Sequence, residues 1–214
     1  MEGENEMAVK GLSIPVFGKY NNNNGTVTYT GGMINPHAVS YTVAVESSEN
    51  NPLHGDNRIV ENDIGRFSSG TLTLETDDLL QEVSKMILGV KELERSYGES
   101  KTVTSLIYDD EQKAPELGFG IIEEHQNDNQ DRYKAVILKK VTFNIPEDSA
   151  TTRGESIEWQ TKTIEGTISR SDENGANGKF PWKEEAWFDT ESEALEFLKA
   201  MLGVTEENTV NQEG

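Results

Sequence analysis

The chain has 214 residues and 34% hydrophobic content, which is enough to bury one sizeable core, so we expect a single domain. Because 19 Lys and Arg face 39 Asp and Glu, the net charge of -20 makes the surface repel phosphate and disfavours a site that grips DNA or RNA. The sequence contains no cysteine, which excludes disulfides, thiolate nucleophiles and cysteine metal sites.

The two ends of the chain are polar and lack apolar periodicity. Residues 1–8 and 205–214 are rich in Glu and Asn, and neither end can offset its own ordering entropy. We therefore predict an N-terminal arm, a single domain over 9–204 and a flexible C-terminal arm. The first residues do not form a secretory signal, and no later run is apolar for long enough to span a bilayer, so we expect a soluble protein.

Strand patterns dominate between the arms. An Asn-Gly reversal at 24–25, between residues of strand chemistry, predicts a β-hairpin. The alternation of Ile164 and Ile168 with Glu165 and Thr167 predicts a strand with one buried and one wet face. The predicted strands are 12–20, 26–30, 38–46, 70–75, 102–108, 118–124, 132–145 and 157–169.

The longest stretch without a clear pattern is 47–66. It contains Asn, Pro, His, Gly and Asp around a short apolar pair, Ile59 and Val60. A compact domain rarely keeps an irregular loop of this length unless the loop has a function. We therefore predict a long functional loop in this segment.

Two segments switch to helical periodicity. In 77–88 the apolar residues fall on one stripe and Gly89 supplies a stop. In 190–202 a Thr190/Glu193 capping box opens a similar stripe and Gly203 closes it. Burying four or five such side chains is worth roughly 1.5–3 kcal/mol each, so each helix should lie against a sheet. The residues thus predict a mainly β domain with two amphipathic helices.

The histidines and glycines do not form a recognisable metal or nucleotide site. His37, His54 and His125 share no ligand spacing, and His54 with Asp56 is more often a solvated loop pair than a cation site. The Gly-Phe-Gly run at 118–120 is followed by more strand rather than by a helix, so it is not a dinucleotide turn. We predict no metal and no cofactor.

Paired carboxylates are the remaining catalytic candidates. Glu123 with Glu124, or Glu155 with Glu158, could flank a sugar bond as a glycosidase pair. With 39 acidic residues in the chain, however, such pairs arise by chance, and nothing marks these groups as buried. We therefore predict that the protein is not an enzyme.

Tryptophan and lysine residues suggest two further binding surfaces. Trp159, Trp182 and Trp187 could form a platform for sugars, although their neighbours alternate as strand residues do, which favours core or loop-anchoring roles. Lys139 and Lys140 lie on an alternating strand, and they are either a solvated face or an acid-pairing subunit contact.

Three stretches of the sequence together carry a family resemblance. The first runs from 11 to 30 and contains Lys-Tyr-Asn-Asn-Asn-Asn-Gly-Thr-Val-Thr-Tyr-Thr. The second, at 67–80, contains Phe-Ser-Ser-Gly-Thr-Leu-Thr-Leu and then Asp-Asp-Leu-Leu, and the third is Trp-Phe-Asp-Thr-Glu-Ser-Glu-Ala-Leu-Glu-Phe-Leu at 187–198. In this order they resemble the major tail protein, or tail tube protein, family of long-tailed bacteriophages.

The resemblance implies a β-sandwich or barrel of the tail tube type, with two flanking helices, that assembles into hexameric rings stacked as a tube. The genome passes through the lumen without specific binding, and an acidic lumen suits this passage because it offers no phosphate-binding group. The implied partners are further copies of the chain and the tape measure, terminator and distal tail proteins. The implied location is the virion, after synthesis in the host cytoplasm.

The resemblance also implies which segments touch neighbouring rings. These are the terminal arms and the early loop at 47–66, and no catalytic residue is implied. The candidate contacts between rings are therefore Leu53, His54, Asp56, Ile59 and Val60.

Two other classes of protein remain open from the sequence. One is a β-sandwich carbohydrate-binding or adhesion module, and the other is a DNA-mimic inhibitor whose carboxylates imitate phosphates. Polymerisation without a ligand separates the tube subunit from both.

Overall fold

A computed structural model describes residues 8–49, 65–77, 79–127, 130–147, 161–175 and 178–205, and the backbone alone of 51–55 and 58–63. The chain is mainly β with antiparallel sheets, as the sequence predicts. Its elements are β1 (Ala8–Asn23), β2 (Thr26–Ile34), β3 (Ala38–Ser47), β4 (Asn51–Gly55), β5 (Arg58–Asp63), β6 (Phe67–Thr76), α1 (Gln81–Leu88), β7 (Lys91–Tyr97), β8 (Lys101–Ile107), β9 (Glu116–Asn127), β10 (Gln130–Phe143), β11 (Lys162–Ser169), β12 (Lys183–Phe188) and α2 (Glu191–Leu202).

The main sheet has eight strands, of which seven follow the order β2-β1-β9-β10-β11-β6-β3. The eighth, β12, pairs with β10 over 133–138, while β11 pairs with β10 over 140–143. The β1 strand also contacts β3, so the sheet curls back on itself. The β4–β5 and β7–β8 pairs form two separate two-stranded ribbons.

The hairpin that joins β1 and β2 confirms the prediction from the Asn-Gly reversal. Asn24 and Gly25 have φ angles of 52° and 84°, and a type I′ turn requires positive φ at both central residues. The Gly25 N–H donates to the Asn22 side chain at 2.9 Å. The β1 strand begins at Ala8, so the last residue of the predicted N-terminal arm belongs to the sheet.

The inner face of the curled sheet holds the larger of two hydrophobic clusters. The cluster also includes the buried side of α1, whose Val83, Met86, Ile87 and Leu88 are covered. Strand residues that point inward alternate with outward ones, as the period of two requires. The largest inward side chains are Phe17, Leu72, Leu74, Leu117, Phe119, Ile121, Leu138 and Phe143.

The second cluster lies on the opposite face of β1, β9 and β10, where α2 packs. Glycines let this helix approach the sheet closely, because a Cβ on Gly18 would lie 2.3 Å from the Leu202 carbonyl oxygen. The Gly32 N–H donates to the Gly203 carbonyl at 2.8 Å. Helix α2 buries Ala194, Leu198 and Leu202 against Val16, Ile122, Ala135 and Ile137.

The caps of α2 follow the sequence prediction. The Thr190 hydroxyl oxygen accepts from the Glu193 N–H at 3.3 Å, as in a capping box. Gly203 has a φ of 67° and ends the helix, and Gly89 ends α1 in the same way with a φ of 65°.

Helix α1 is shorter than predicted. The sequence predicts a helix over 77–88, but the structure starts it at Gln81 and leaves Leu80 extended, with ψ of 139°. The cause is a distant contact, since the buried Asn35 side chain accepts from the Leu80 N–H at 3.2 Å and donates to Thr76 Oγ1 at 3.1 Å.

The prediction of an irregular loop over 47–66 is wrong in its main part. Strands β4 and β5 pair there as an antiparallel ribbon. Elsewhere in the chain, β7 and β12 are two further strands that the sequence pattern does not predict. The predicted strand over 132–145 ends at Phe143. The start of the strand predicted over 157–169, residues 1–7 and residues 206–214 lie outside the described residues.

Candidate assembly surfaces

One half of the main sheet, made of β3, β6 and β11, has an outer face that no described element covers. The register places Thr42, Thr73 and Glu165 in one row across these strands, and neighbouring rows are built in the same way. We call this surface the hydroxyl face. Its members are Ser40, Thr42, Ala44, Glu46, Ser69, Thr71, Thr73, Glu75, Thr163, Glu165 and Thr167, all exposed or half-buried and none of them cationic.

Hydrogen bonds hold a carboxylate of the hydroxyl face in its charged form. The Thr161 hydroxyl and the Ser40 hydroxyl both donate to Glu75, the second at 2.9 Å. These bonds stabilise the anion and lower the pKa of Glu75 below its ordinary value. The face therefore stays negative at neutral pH and offers hydroxyls, but no cation, to an approaching phosphate.

The main sheet is open at both edges. Within the described residues, β2 pairs with β1 and also bridges Val204 at Gly32, while β3 pairs with β6. The rest of the outer row of backbone groups on each strand has no sheet partner there. The β3 strand also exposes Val39 and Val45, at 50% and 47%. Open edges of this kind template the addition of another strand.

The β7–β8 ribbon projects from the domain and is fixed at its base. Leu106 packs against the large hydrophobic cluster, and the Glu92 carboxylate accepts from Lys85 of α1 at 2.5 Å. Every residue of β7 is exposed. An isolated two-stranded ribbon is marginally stable in water. This ribbon has no further strand partner in the described part of the chain, so it is a candidate for contact with another chain.

The predicted inter-ring residues fall on the other ribbon. Leu53 and His54 lie on β4 and Ile59 and Val60 on β5, with His54 opposite Ile59. Asp56 and the side chains of the other four lie outside the described residues. Their role in contacts between rings stays a prediction.

The structure gives Lys139 and Lys140 partners inside the subunit. The Lys139 side chain is 6% exposed and pairs with Glu184. Lys140 donates to Asp172 at 2.9 Å and to Glu116 at 3.1 Å, and its ammonium lies 5.0 Å from the centre of the Tyr20 ring. Neither cation belongs to a solvated face, because both pair inside the subunit, and their role in a subunit contact stays a prediction.

A buried charged network lies at one end of the inner face. The Glu123 carboxylate accepts from Lys134 at 2.5 Å and from the Tyr41 hydroxyl, and one of its oxygens lies 2.9 Å from His125 Nε2. The Trp187 ring covers this group, with its centre 4.8 Å from that of His125 and 5.7 Å from the Lys134 ammonium. The network links β3 to β9 and β10 across the curled sheet.

The pKa shifts of Glu123 and Tyr41 favour a structural role for this network over a catalytic one. Burial favours a higher pKa for Glu123, but the bonds from Lys134, Tyr41 and His125 outweigh it and hold that pKa below its ordinary value. Burial and the Glu123 charge raise the pKa of Tyr41. General acid–base catalysis needs a pKa near the working pH, and both shifts lead away from neutrality.

The geometry also speaks against the carboxylate pair considered from the sequence. Glu123 and Glu124 are neighbours on β9 and point to opposite faces of the sheet, so they cannot flank one sugar bond. Glu124 instead accepts from the exposed Lys10 at 2.9 Å. Glu155 and Glu158 lie outside the described residues.

The tryptophans do not share one platform in the described part of the chain. Trp182 stacks on Phe67 with ring centres 4.5 Å apart, so one of its faces is covered. Trp187 is 44% exposed and packs on the buried network. Trp159 lies outside the described residues.

The histidines that the structure describes lie apart in two different settings. His37 faces Asp77 at 2.8 Å near the surface, whereas His125 belongs to the buried network. No cluster of three or more metal-ligating side chains occurs among the described residues. Neither described helix has the length and apolar character that a bilayer crossing requires.

No protein-family model matches the chain, and no curated protein matches its sequence. The evidence for a function is therefore confined to the chain's own sequence and to its hydroxyl face, sheet edges and ribbons.

Proposed function

We propose that the protein is a structural subunit of a bacteriophage tail tube, without enzymatic activity, that assembles into stacked rings. The observation that carries the proposal is the main sheet with two different open edges, β2 on one side and β3 on the other. Contact between two different surfaces of identical copies is heterologous, and such contacts close into rings or extend into filaments. The ordered resemblance to major tail proteins supports a ring, with six copies as the family number.

The hydroxyl face is the surface best suited to the lumen of such a ring. It has Glu46, Glu75 and Glu165 among hydroxyl side chains and no cation. A wall of this kind neutralises no phosphate and releases no counterions, so DNA slides past it without binding. The tape measure, terminator and distal tail proteins are the other partners that this role entails, and the virion is its location.

Light scattering and negative-stain electron microscopy of the purified protein test the proposal. We expect monomers or weak oligomers in dilute solution and rings or tubes in concentrated solution. Raising the salt from about 0.01 M to about 0.1 M shortens the Debye length from roughly 30 Å to roughly 10 Å, which weakens repulsion between subunits of charge -20 and should raise the polymer yield. A protein that stays monomeric at every concentration and salt is not a tube subunit.

A carbohydrate-binding or adhesion module is the second candidate, and the exposed Trp187 is the observation that favours it. Aromatic rings that face solvent stack on sugar faces. This candidate predicts a monomer that binds glycans in an array and loses that binding in Trp187→Ala. Polymerisation without glycan, together with no binding to any glycan on the array, favours the tail tube subunit.

A further inference from the structure

We propose that one face of the β7–β8 ribbon docks on a second copy of this chain, an inference that rests on the tube function proposed above. In the pairing register Arg95 lies opposite Val103, Tyr97 opposite Lys101, and Leu93 opposite Ser105, so these side chains share one side of the ribbon. We call this side the basic ribbon face, defined by Leu93, Arg95, Tyr97, Lys101 and Val103.

The basic ribbon face exposes a patch of large apolar groups. Leu93 is 45% exposed, Tyr97 54% and Val103 49%. Three large apolar side chains side by side on a two-stranded ribbon are unusual for a surface that faces water alone. Tyr and Arg, which both occur here, are the residue types that most often dominate binding energy at protein interfaces.

The opposite side of the ribbon is the one that meets the domain. Leu106 packs on the large hydrophobic cluster, and Glu92, directly opposite Leu106, pairs with Lys85 of α1. Because successive strand residues point to opposite sides, anchoring through these two residues turns the basic ribbon face away from the domain. A partner can therefore reach it without any rearrangement of the subunit.

Charge selects the kind of partner. Residues 91–107 contain three cations and three carboxylates, so the ribbon is neutral (3 - 3 = 0) and the remainder of the chain carries the whole charge of -20. The carboxylates Glu92 and Glu94 lie on the other side. Among the described residues Arg95 and Lys101 have no carboxylate within ion-pair distance, so the basic ribbon face presents two uncompensated cations.

A second copy of the chain supplies the matching surface. It is strongly acidic, and its open β3 edge exposes Val39 and Val45, with Glu46 next to Val45 in the chain. This combination of apolar groups and negative charge complements the basic ribbon face. Nucleic acid does not fit as the occupant, because the rest of the chain would repel it.

Two exposed tyrosines provide a matched test. Tyr97 is 54% exposed on the basic ribbon face, and Tyr108 is 53% exposed just beyond the ribbon. We expect Tyr97→Ser to raise the protein concentration needed for half-maximal assembly by about tenfold, and Tyr108→Ser to change it less than about twofold. Light scattering measures the assembly, and thermal unfolding of the dilute protein checks that both variants fold.

A charge reversal separates the docking contact from general repulsion. Arg95→Glu/Lys101→Glu and the control Lys19→Glu/Lys179→Glu change the net charge equally, but only the first alters the basic ribbon face. We expect the first to abolish assembly at a concentration where the control still assembles. If the wild type assembles and both ribbon variants behave as their controls, the docking inference fails while the tube function stands. If the wild type never associates, both fail.

Discussion

The two halves of the main sheet bury their inner faces in the same way, but the outer face is apolar in one half and polar in the other. Over β1, β9 and β10 the outer positions are Val16, Ile122, Ala135 and Ile137, and α2 covers them. Over β3, β6 and β11 the outer positions are the Thr, Ser and Glu residues of the hydroxyl face, and no described element covers them. Sequence chemistry on the outer face thus decides which half receives a helix.

The difference assigns separate tasks to the two halves. The covered half, made of β1, β9 and β10, packs against hydrophobic residues on both of its faces, so it contributes most to the stability of the subunit. The bare half needs its inner residues for the core, but its outer residues are free to meet whatever lies outside. Substitutions on the outer face should therefore destabilise the covered half and leave the bare half folded.

The largest expected effect is on the covered half. Leu198 is fully buried between α2 and the sheet. Leu198→Ala should lower the free energy of unfolding by about 4 kcal/mol, because it removes buried methyl groups and leaves a cavity. Thr167→Ala on the hydroxyl face is the matched control and should stay within about 0.5 kcal/mol of the wild type. Denaturant unfolding measures both, and equal losses would remove the distinction between the halves.

The buried network that joins the two halves should give the next largest effect. Glu123→Gln removes the charge that pairs with Lys134 and should cost about 3 kcal/mol at neutral pH, since Lys134 is then left buried and poorly paired. Glu124→Gln on the outside of the same strand should cost less than about 1 kcal/mol, because its ion pair with Lys10 is solvated.

The same substitution should change the response to acid. The pKa of Glu123 is lower in the folded chain than its ordinary value of 4.5, so the folded state gains stability above pH 4.5 and loses it as the pH falls through the folded pKa. Below pH 4.5 the wild type should therefore lose stability more steeply than Glu123→Gln. Parallel pH profiles of unfolding free energy would mean that Glu123 is not the titrating group.

A smaller loss of stability is expected at Gly18, where α2 packs directly against the sheet. Gly18→Ala places a Cβ against the Leu202 carbonyl oxygen, a backbone atom that cannot move alone, and should cost about 2 kcal/mol. In Gly11→Ala the new Cβ meets only the end of the Glu124 side chain, at 2.9 Å, and that side chain can turn away. The difference between the two melting temperatures measures how tightly the covered half holds its helix.

The sequence predicts the parts of the fold in which local chemistry and burial agree. The Asn24-Gly25 turn, the strand with Ile164 and Ile168 inside, and the Gly89 and Gly203 stops all follow from residues close in the chain. The start of α1 does not, because it depends on Asn35, which is more than forty positions away from Leu80 in the chain. A contact at that distance leaves no local signal.

The candidate surfaces were harder to predict than the core. The β7 strand has no buried face, so it lacks the pattern of buried and exposed residues that predicts a strand. Its two sides differ only in charge, because Glu92 and Glu94 lie on one side and Leu93, Arg95 and Tyr97 on the other. The pairing of Lys139 and Lys140 inside the subunit could not be predicted, because their partners come from β9, β12 and the 171–175 segment, which sequence order does not bring together. The sequence predicts only one part of the hydroxyl face, namely the solvent-exposed side of the strand that contains Glu165 and Thr167.

The smallest effect on stability should come with the clearest effect on function. Glu165→Lys on the hydroxyl face and Glu196→Lys on the exposed side of α2 each add one cation, and both should change the free energy of unfolding by less than about 0.5 kcal/mol. If the hydroxyl face lines a lumen, tubes of Glu165→Lys should hold short duplex DNA at low salt inside the wall, where a nuclease cannot reach it. Tubes of Glu196→Lys should bind DNA only on the outside, where it is digested. Nuclease-resistant DNA in the second variant and not in the first would place the lumen on the helix-covered half instead.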